Sequence, residues 1–352
     1  MNRFDYVRAG TVADAVAAAA SPGAAFLAAG TNLLDLMKGG ISRPAKLVDV
    51  TRIPGLGDIE RMQDGGVRIG ALVRNSDLAH DRDFAKRFPM VAEALLSGAS
   101  AQLRNAATTG GNLMQRTRCP YFYDTASACN KRVPESGCDA KGGENRLHAV
   151  LGWSDHCIAT HPSDFCVPLV ALDAVVEIEG STGRRDVTLE SFHCLPGPTP
   201  HQETVLAPGE LIVAVRLPPE AGVFAEHARY VKVRERTSYA FAVVSAAAAL
   251  RIEHGHVADA RVALGGVASK PWRAREAEDV LRGEKPGVET FRAAAVAALA
   301  GARPSGDNAF KIDLARRVIV RALMLAAAGT PERLPALPAS AFAQPAGVTI
   351  HA

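Results

Sequence analysis

The stretch that organises this chain runs from Thr108 to Asp164: TTGGNLMQRTRCPYFYDTASACNKRVPESGCDAKGGENRLHAVLGWSDHCIATHPSD. It opens with the glycine turn of residues 108–112, where paired glycines allow positive φ and let the backbone approach a ligand without an intervening Cβ. The same stretch holds four of the six cysteines of the chain: Cys119, Cys129, Cys138 and Cys157. A backbone suited to a phosphate-bearing ligand beside clustered thiols indicates two adjacent redox groups.

The spacing of the four cysteines, C-x9-C-x8-C-x18-C, does not by itself choose a chemistry. Structural zinc sites use close C-x2–4-C pairs, and this spacing has none. A redox-active C-x-x-C pair is also missing. Irregular loops supply iron–sulfur ligands at many spacings. An iron–sulfur cluster, a zinc site, and disulfides or free thiols therefore all stay open, while Cys166 and Cys194 are interpreted as buried small hydrophobes.

A second glycine junction lies near the start of the chain. Residues 26–29 read as a short buried strand that runs into Gly30-Thr31-Asn32, followed by a helical turn at 33–38 and a strand at 46–50. A strand that enters a helix through small residues leaves free N–H groups at the positive end of the helix dipole. The junction is a candidate seat for a pyrophosphate, with a purely structural turn as the alternative.

The rest of the chain predicts an α+β protein with a boundary at Pro218-Pro219. Ahead of this boundary, the pattern predicts a capped helix from Thr11, a strand at 67–73, a helix at 89–96, a strand or short helix within 167–178, and a strand at 211–217. After it, the pattern predicts a strand at 230–233, a hairpin of 241–252 with 257–264, and helices at 273–281, 288–299 and 309–327.

Composition excludes several classes of protein. The chain has 352 residues, with 40 Lys plus Arg against 37 Asp plus Glu and a net charge of +3, and no long basic run offers nucleic acid a foothold. The N-terminus lacks the apolar core of a secretory signal, and no uncharged apolar stretch approaches 18 residues. We therefore expect a protein with neither a signal of its own nor a membrane span.

Taken together, the motifs resemble the FAD-binding medium subunits of molybdenum hydroxylases. The resemblance is carried by Ala28–Leu34, Gln102–Asn112, Asp164, the Lys232 segment and Ala263–Ala268, and it covers about residues 1 to 330. The runs at 112–124 and 129–132 resemble the periplasmic aldehyde oxidoreductase branch in particular. In that branch, as in 4-hydroxybenzoyl-CoA reductase, the flavoprotein carries an extra 4Fe–4S cluster.

The resemblance implies an α+β fold with two domains and a tail. Residues 1–225 would form a two-subdomain FAD-binding domain of the PCMH/vanillyl-alcohol-oxidase type, divided near residue 55, with a 4Fe–4S insertion at 115–158. Residues 226–330 would form a small α+β domain of the carbon monoxide dehydrogenase flavoprotein type. Residues 331–352 would be a proline-rich tail that lies along a neighbouring subunit.

The resemblance also assigns site residues, none of them a catalytic acid or base. Asp164 would bind the ribose side of FAD, and Ile212 and Lys232 would lie near the flavin ring, with an exposed strand lysine as the alternative for Lys232. Ala29 replaces the second glycine usual in the first loop. The first loop would hold the pyrophosphate through Phe26, Leu27, Ala28, Ala29, Gly30, Thr31, Asn32, Leu33 and Leu34, and the second through Thr108, Gly110, Gly111 and Asn112. The 4Fe–4S ligands would be Cys119, Cys129, Cys138 and Cys157.

As a member of this family, the chain would be the electron-transfer subunit of a heterotrimer. A large subunit would carry the molybdenum cofactor, and a small subunit would carry two 2Fe–2S clusters. Electrons would leave through FAD to an external acceptor. Rival interpretations are a 4-hydroxybenzoyl-CoA reductase-like flavoprotein subunit, a stand-alone flavin oxidase and a zinc-stapled, non-catalytic assembly module. The compartment would be periplasmic, by co-export with a signal-bearing partner, or cytoplasmic.

Overall fold

A computed structural model describes residues 1–335 and 337–342 of the chain. The strands are β1 (Asp5–Arg8), β2 (Ala24–Leu27), β3 (Lys46–Asp49), β4 (Ile59–Arg61), β5 (Val67–Gly70), β6 (Val175–Gly180), β7 (Gly183–Thr188), β8 (Leu211–Leu217), β9 (Ala228–Val233), β10 (Val244–Glu253), β11 (His256–Gly265) and β12 (Trp272–Arg273). The helices are α1 (Val12–Ala19), α2 (Leu33–Lys38), α3 (Asn75–His80), α4 (Arg82–Arg87), α5 (Pro89–Ser97), α6 (Ala101–Arg104), α7 (Thr109–Leu113), α8 (Pro120–Tyr123), α9 (Cys166–Ala171), α10 (Leu189–Phe192), α11 (Arg275–Leu281), α12 (Val288–Ala298) and α13 (Phe310–Ala327).

The first sheet is small and parallel, with the order β1-β3-β2. Thr11 caps α1 by accepting a hydrogen bond from the Asp14 N–H, as the sequence predicted, and α1 buries Ala15 and Val16. Strand β2 is parallel to β3 and ends at Leu27. From the carboxyl end of β2 the chain continues directly into the loop that contains Gly30. The sheet therefore presents this loop at one edge.

The second sheet is antiparallel, with the order β4-β5-β8-β6-β7. Its central strand β8 contributes to two cores, and its pairing with β6 shifts register between Glu177 and Ile178, where a bulge changes which side chains share a face. Leu211 and Val213 pack with α1 and the first sheet, whereas Val215 and Leu217 pack under the helices of the second unit. Strand β8 thus contributes side chains to both cores and links them.

The third sheet, β12-β11-β10-β9, is antiparallel and packs against α13. Strand β10 is buried on both faces: Ala247 and Ala249 lie in the core shared with the second unit, and Ala246 and Ala248 lie in the core under α13. A strand covered on both faces is a continuous apolar run rather than an alternating one. This explains the alanine run of β10.

Several boundaries differ from the sequence-based expectation: β2 spans Ala24–Leu27 rather than 26–29, β5 ends at Gly70 rather than at 73, and β9 begins at Ala228 rather than at 230. The hairpin strand predicted from residue 241 begins at Val244, because residues 234–243 form a loop. The apolar stretch 167–178 contains both predicted options, since α9 ends at Ala171 and β6 begins at Val175. Helices α11, α12 and α13 end within one residue of their predicted ends.

The segment at 114–160 has little regular structure beyond α8 and a 3₁₀ turn at Asp139–Lys141. The predicted tail is only partly described, since residues 336 and 343–352 lie outside the described residues. Its described part pairs with this chain: Ala339 O accepts a hydrogen bond from Lys232 N at 2.8 Å, and Ala339 is buried. Among the described helices, none is long and apolar enough to cross a membrane.

Candidate functional site

The first loop carries backbone donors that the protein does not use. Gly30 has φ of +74°, and a Cβ there would meet the Leu34 side chain at 2.7 Å. Among the described hydrogen bonds, the N–H groups of Gly30, Thr31 and Asn32 have no protein acceptor. The side-chain Nδ2 of Asn32 is also buried without a partner in the described residues. Unpaired donors at a helix start suit an anionic group.

The second loop is a capped helix start rather than a positive-φ turn. Thr108 Oγ1 accepts the Gly111 N–H at 3.4 Å, and α7 follows immediately. The expectation of positive φ at Gly110 and Gly111 is wrong, since neither is among the positive-φ glycines. Gly110 is required by packing instead, because a Cβ there would lie 2.9 Å from the Ala71 Cβ.

Two cavities meet where these loops face each other. The apolar cavity, about 390 Å³, runs past Phe26 and Ile212. The polar cavity, about 540 Å³, runs past Asp164 and Arg104. Both are lined by Thr31, Asn32 and Gly111. An elongated ligand with an anionic middle and two ring-bearing ends matches this shape, with its anionic part at the unpaired N–H groups.

The candidate residues divide between these cavities. The apolar cavity is lined by Phe26, Ala28, Ala29, Gly30, Thr31, Asn32, Leu33, Thr108, Gly110, Gly111 and Ile212. The polar cavity adds Asn112 and Asp164, and neither lining includes Leu27, Leu34 or Lys232. Ile212 lines the apolar cavity, whereas Lys232 lines neither cavity and contacts Asp164 of the polar cavity, so the structure does not show the two residues lining one common cavity.

Asp164 is held by two buried partners. Its Oδ1 accepts the Tyr230 hydroxyl at 2.7 Å, and its Oδ2 accepts Lys232 Nζ at 2.7 Å. Burial and the Asp164 charge raise the pKa of Tyr230 well above its usual value, so the hydroxyl stays protonated and donates. Lys232 is 3% exposed, which excludes the exposed-lysine alternative. Its charge is compensated by Asp164, and Tyr230 is a site residue that the sequence reasoning missed.

The four candidate cluster ligands line one small cavity, the cysteine cavity: Cys119, Cys129, Cys138 and Cys157. None of the four forms a disulfide, and burial raises the pKa of Cys119 to about 12 and that of Cys157 to about 11. Their convergence on one cavity is the arrangement that a shared metal centre requires.

Donors surround these sulfurs. Backbone N–H groups of Tyr121 and Phe122 lower the pKa of Cys119, although less than burial raises it. The Ala159 N–H faces Cys157 Sγ at 3.5 Å. The ring of His148 places Nε2 at 3.2 Å from Cys119 Sγ. N–H groups directed at sulfur are typical of iron–sulfur sites, so the donor set fits such a group.

The two candidate sites are in contact through one side chain. Leu36, on the helix that begins at the first loop, lines the apolar cavity. It also packs in one small core with Phe122 and Cys129 of the insertion. Arg116 adds a polar connection, because its N–H donates to Asn32 Oδ1 at 3.0 Å and its guanidinium lies over the Phe122 ring at 4.6 Å. The cysteine cavity is therefore built against the first loop.

A further group, His161, Cys166 and His193, offers three ligand atoms within 4.8 Å of one another. The Ser163 N–H donates to His161 Nδ1 at 3.3 Å, so the neutral ring carries its proton on Nε2, which is a donor rather than a metal ligand. Burial lowers the pKa of His193 to about 4, and the rings pack edge to face with centroids 4.5 Å apart. We interpret the group as neutral core packing. Cys166 is fully buried, as predicted, whereas Cys194 is only half-buried.

Comparison with known proteins identifies the family. Residues 2–220 match the FAD-binding domain found in molybdopterin dehydrogenases, and residues 229–326 match the C-terminal domain of carbon monoxide dehydrogenase flavoproteins. The chain belongs to the FAD-binding subunits of the molybdenum hydroxylases. The resemblance read from the sequence is thereby confirmed, together with the α+β fold of an FAD-binding domain and a flavoprotein C-terminal domain.

Individual relatives of this flavoprotein subunit cover nearly its whole length. The chain is 52% identical to the aldehyde oxidoreductase FAD-binding subunit PaoB of Escherichia coli, over 92% of this chain and 98% of that protein. The carbon monoxide dehydrogenase structure from Hydrogenophaga pseudoflava matches with a TM-score of 0.73 and 29% identity, over 93% of this chain and 98% of that chain. Quinoline 2-oxidoreductase from Pseudomonas putida 86 matches with a TM-score of 0.71 and 25% identity, over 93% and 97% of the two chains.

The chain is accordingly an oxidoreductase subunit that carries an FAD-binding domain. The two loops and their shared cavity junction fit FAD, since the diphosphate is the anionic middle of that cofactor. Membership of this family leaves the zinc-stapled, non-catalytic module without support. The carbon monoxide dehydrogenase relative from Hydrogenophaga pseudoflava is itself a medium chain.

Proposed function

We propose that the chain is the FAD- and 4Fe–4S-containing electron-transfer subunit of a molybdenum-dependent aldehyde oxidoreductase. The observation that carries the proposal is the contact of the cysteine cavity with the first FAD loop through Leu36. The 52% identity to an aldehyde oxidoreductase subunit supports the substrate class. The partners would be a molybdenum-cofactor subunit and a subunit with two 2Fe–2S clusters.

The residues of this chain bind and orient, and none acts on substrate. The N–H groups of Gly30, Thr31 and Asn32 would hold the FAD diphosphate, with Gly111 facing them across the junction. The four cysteines would bind the cluster as thiolates, and their protons would be released to solvent. When bound, flavin exchanges electrons between iron–sulfur centres and an external acceptor. The protein supplies position and electrostatics.

The Asp164 carboxylate lines the polar cavity, and its ion pair with Lys232 fixes its orientation. The carboxylate would accept a hydrogen bond from FAD. Because the carboxylate of Asp164 compensates the positive charge of Lys232 in this ion pair, Lys232 would not act as a separate positive charge beside reduced flavin. The location would be periplasmic, by co-export with a signal-bearing partner, or cytoplasmic.

An absorption spectrum of the purified full chain tests the proposal. We expect flavin bands together with a broad shoulder near ~400 nm, typical of protein-bound iron–sulfur centres. A flavin spectrum without the shoulder would retain the flavoprotein and remove the cluster. A colourless protein that contains zinc would contradict the proposal as a whole.

A further inference from the structure

His148 faces the sulfur of a proposed cluster ligand. It lies in the insertion between Cys138 and Cys157, and its Nε2 is 3.2 Å from Cys119 Sγ. The residue is 5% exposed, and its Nδ1 makes no hydrogen bond in the part of the chain that the structure describes. A thiolate at Cys119 can only accept a hydrogen bond, so in this contact the neutral ring carries its proton on Nε2 and donates toward the sulfur.

The backbone that carries His148 is fixed from the C-terminal domain. Asn308 Nδ2 donates to His148 O and Ala149 O, both at 3.0 Å. Lys311 Nζ donates to His148 O at 2.8 Å and Leu147 O at 2.9 Å. Asn308 and Lys311 are each 0% exposed. Burying an ammonium and an amide is tolerated only when they are hydrogen-bonded, so these contacts hold residues 147–149 firmly.

We propose that His148 donates an N–H···S hydrogen bond to the Cys119 thiolate and thereby raises the reduction potential of the 4Fe–4S cluster, with Asn308 and Lys311 as positioning residues. This inference rests on the proposed function, because it requires the cluster. The reduced cluster carries one more negative charge than the oxidised cluster. An N–H dipole directed at sulfur therefore stabilises the reduced form more, and hydrogen bonds to sulfur are among the factors that set such potentials.

The same network gives the C-terminal domain a role in electron transfer. Lys311 also donates to Gly266 O at 2.6 Å, so it joins the end of β11 to the insertion loop. Asn145, three residues before His148, accepts the Asp307 N–H at 2.7 Å. The beginning of α13 and the residues before it thus position the histidine through its backbone.

The test is a redox titration of the full chain, monitored by electron paramagnetic resonance of the reduced cluster. His148→Leu removes the donor, and we expect a midpoint potential more negative than that of the wild type. His148→Gln keeps an N–H donor and should return the midpoint toward the wild-type value. His156→Leu is the matched control: His156 lines the cysteine cavity, but none of the described hydrogen bonds joins its ring to a sulfur, so the midpoint should not move.

Iron content separates the outcomes. A His148→Leu variant with full iron and an unchanged midpoint would overturn the inference alone. Loss of iron from His148→Leu would also overturn it, since His148 would then hold the cluster rather than tune it. A wild-type chain without iron would overturn the proposed function, and this inference with it.

Two further measurements address the mechanism. In protein labelled with ¹⁵N-histidine, pulsed resonance of the reduced cluster should show a weak nitrogen coupling that disappears in His148→Leu, and no change in the coupling would contradict the hydrogen bond. Lys311→Met should shift the midpoint in the same direction by a smaller amount. An unchanged midpoint in that folded variant would remove Lys311 as a positioning residue.

Discussion

The first and second loops, at residues 26–34 and 108–112, form the proposed flavin loops. The cysteine cavity lies against the first of them, but the loops and the cavity are built in opposite ways. The flavin loops follow β2 and begin α2 and α7, so regular hydrogen bonding shapes them before any ligand binds. The cysteine cavity lies in a segment with one short helix and one 3₁₀ turn. We infer that the first site is preformed, whereas the second depends on its metal centre for order.

The largest expected effect is a loss of order in the segment that forms the cysteine cavity, with the loops at the FAD site left ordered. Cys129→Ser removes a buried residue that we propose as a cluster ligand, so iron should fall from about four per chain to near zero. Residues 119–138 should become sensitive to limited proteolysis, while the remainder of the chain, including residues 147–149 that Asn308 and Lys311 hold, stays protected. Iron analysis and mass spectrometry of the fragments are the measurements.

Cys194→Ser is the control for this change, because Cys194 is half-buried and does not line the cysteine cavity. It should keep its iron and its protease resistance. If Cys129→Ser loses iron but its insertion stays as resistant as in the wild type, the cluster does not order the segment, and the contrast between the two regions is wrong.

The next effect concerns the buried ion pair of the polar cavity. Asp164→Asn leaves the Lys232 ammonium buried without its counter-charge, which should destabilise the fold by about 3–5 kcal/mol. The double variant Asp164→Asn with Lys232→Gln should recover part of that loss. Unfolding monitored by circular dichroism measures both. Losses that simply add in the double variant would show that the pair is not coupled.

The third change targets the residue shared by the two regions. Leu36→Ala should cost about 2–4 kcal/mol as a core truncation and should lower the content of both FAD and iron. Leu323→Ala, in α13, is an equally buried leucine outside both cavities. It should show a similar loss of stability with both cofactors retained. A Leu36→Ala protein with normal FAD and iron would argue against direct contact between the sites.

The smallest expected loss of stability comes from two glycine-to-alanine variants, which distinguish the cost of backbone strain from the loss of FAD binding. Gly30→Ala and Gly183→Ala both place a Cβ at positive φ, at +74° and +103°, which should cost about 1–2 kcal/mol in each, and Gly30→Ala adds the contact of its Cβ with the Leu34 side chain. Only Gly30→Ala should also lose FAD, measured by flavin fluorescence after gel filtration. Equal FAD content in the two variants would show that the Gly30 loop does not seat the diphosphate.

Local features were predictable from the sequence because neighbouring residues determine them. The cap at Thr11 and the strand–glycine–helix junction at Gly30 follow from local backbone chemistry. The reason for Gly110 was not predictable, since it depends on the close approach of Ala71, a residue distant in sequence. The same limit applies to the tail, where Ala339 pairs with β9 of its own chain.

Long-range partners explain the other corrections at the site. An isolated strand lysine reads as exposed, and only the fold brings Lys232 to Asp164. Tyr230 lies two residues before Lys232 on the same strand, and a strand places such residues on one face. That spacing was the available signal for Tyr230. A histidine between two cluster cysteines was the corresponding signal for His148, although its distance to Cys119 required the structure.

We propose that this one chain holds FAD and a 4Fe–4S cluster side by side. Mössbauer spectroscopy of the ⁵⁷Fe-enriched full chain, combined with flavin analysis of the same sample, tests it most directly. We expect about four irons per FAD, with the spectrum of a single cubane cluster. A stoichiometric flavin with no bound iron, or with zinc held by the four cysteines, would contradict it.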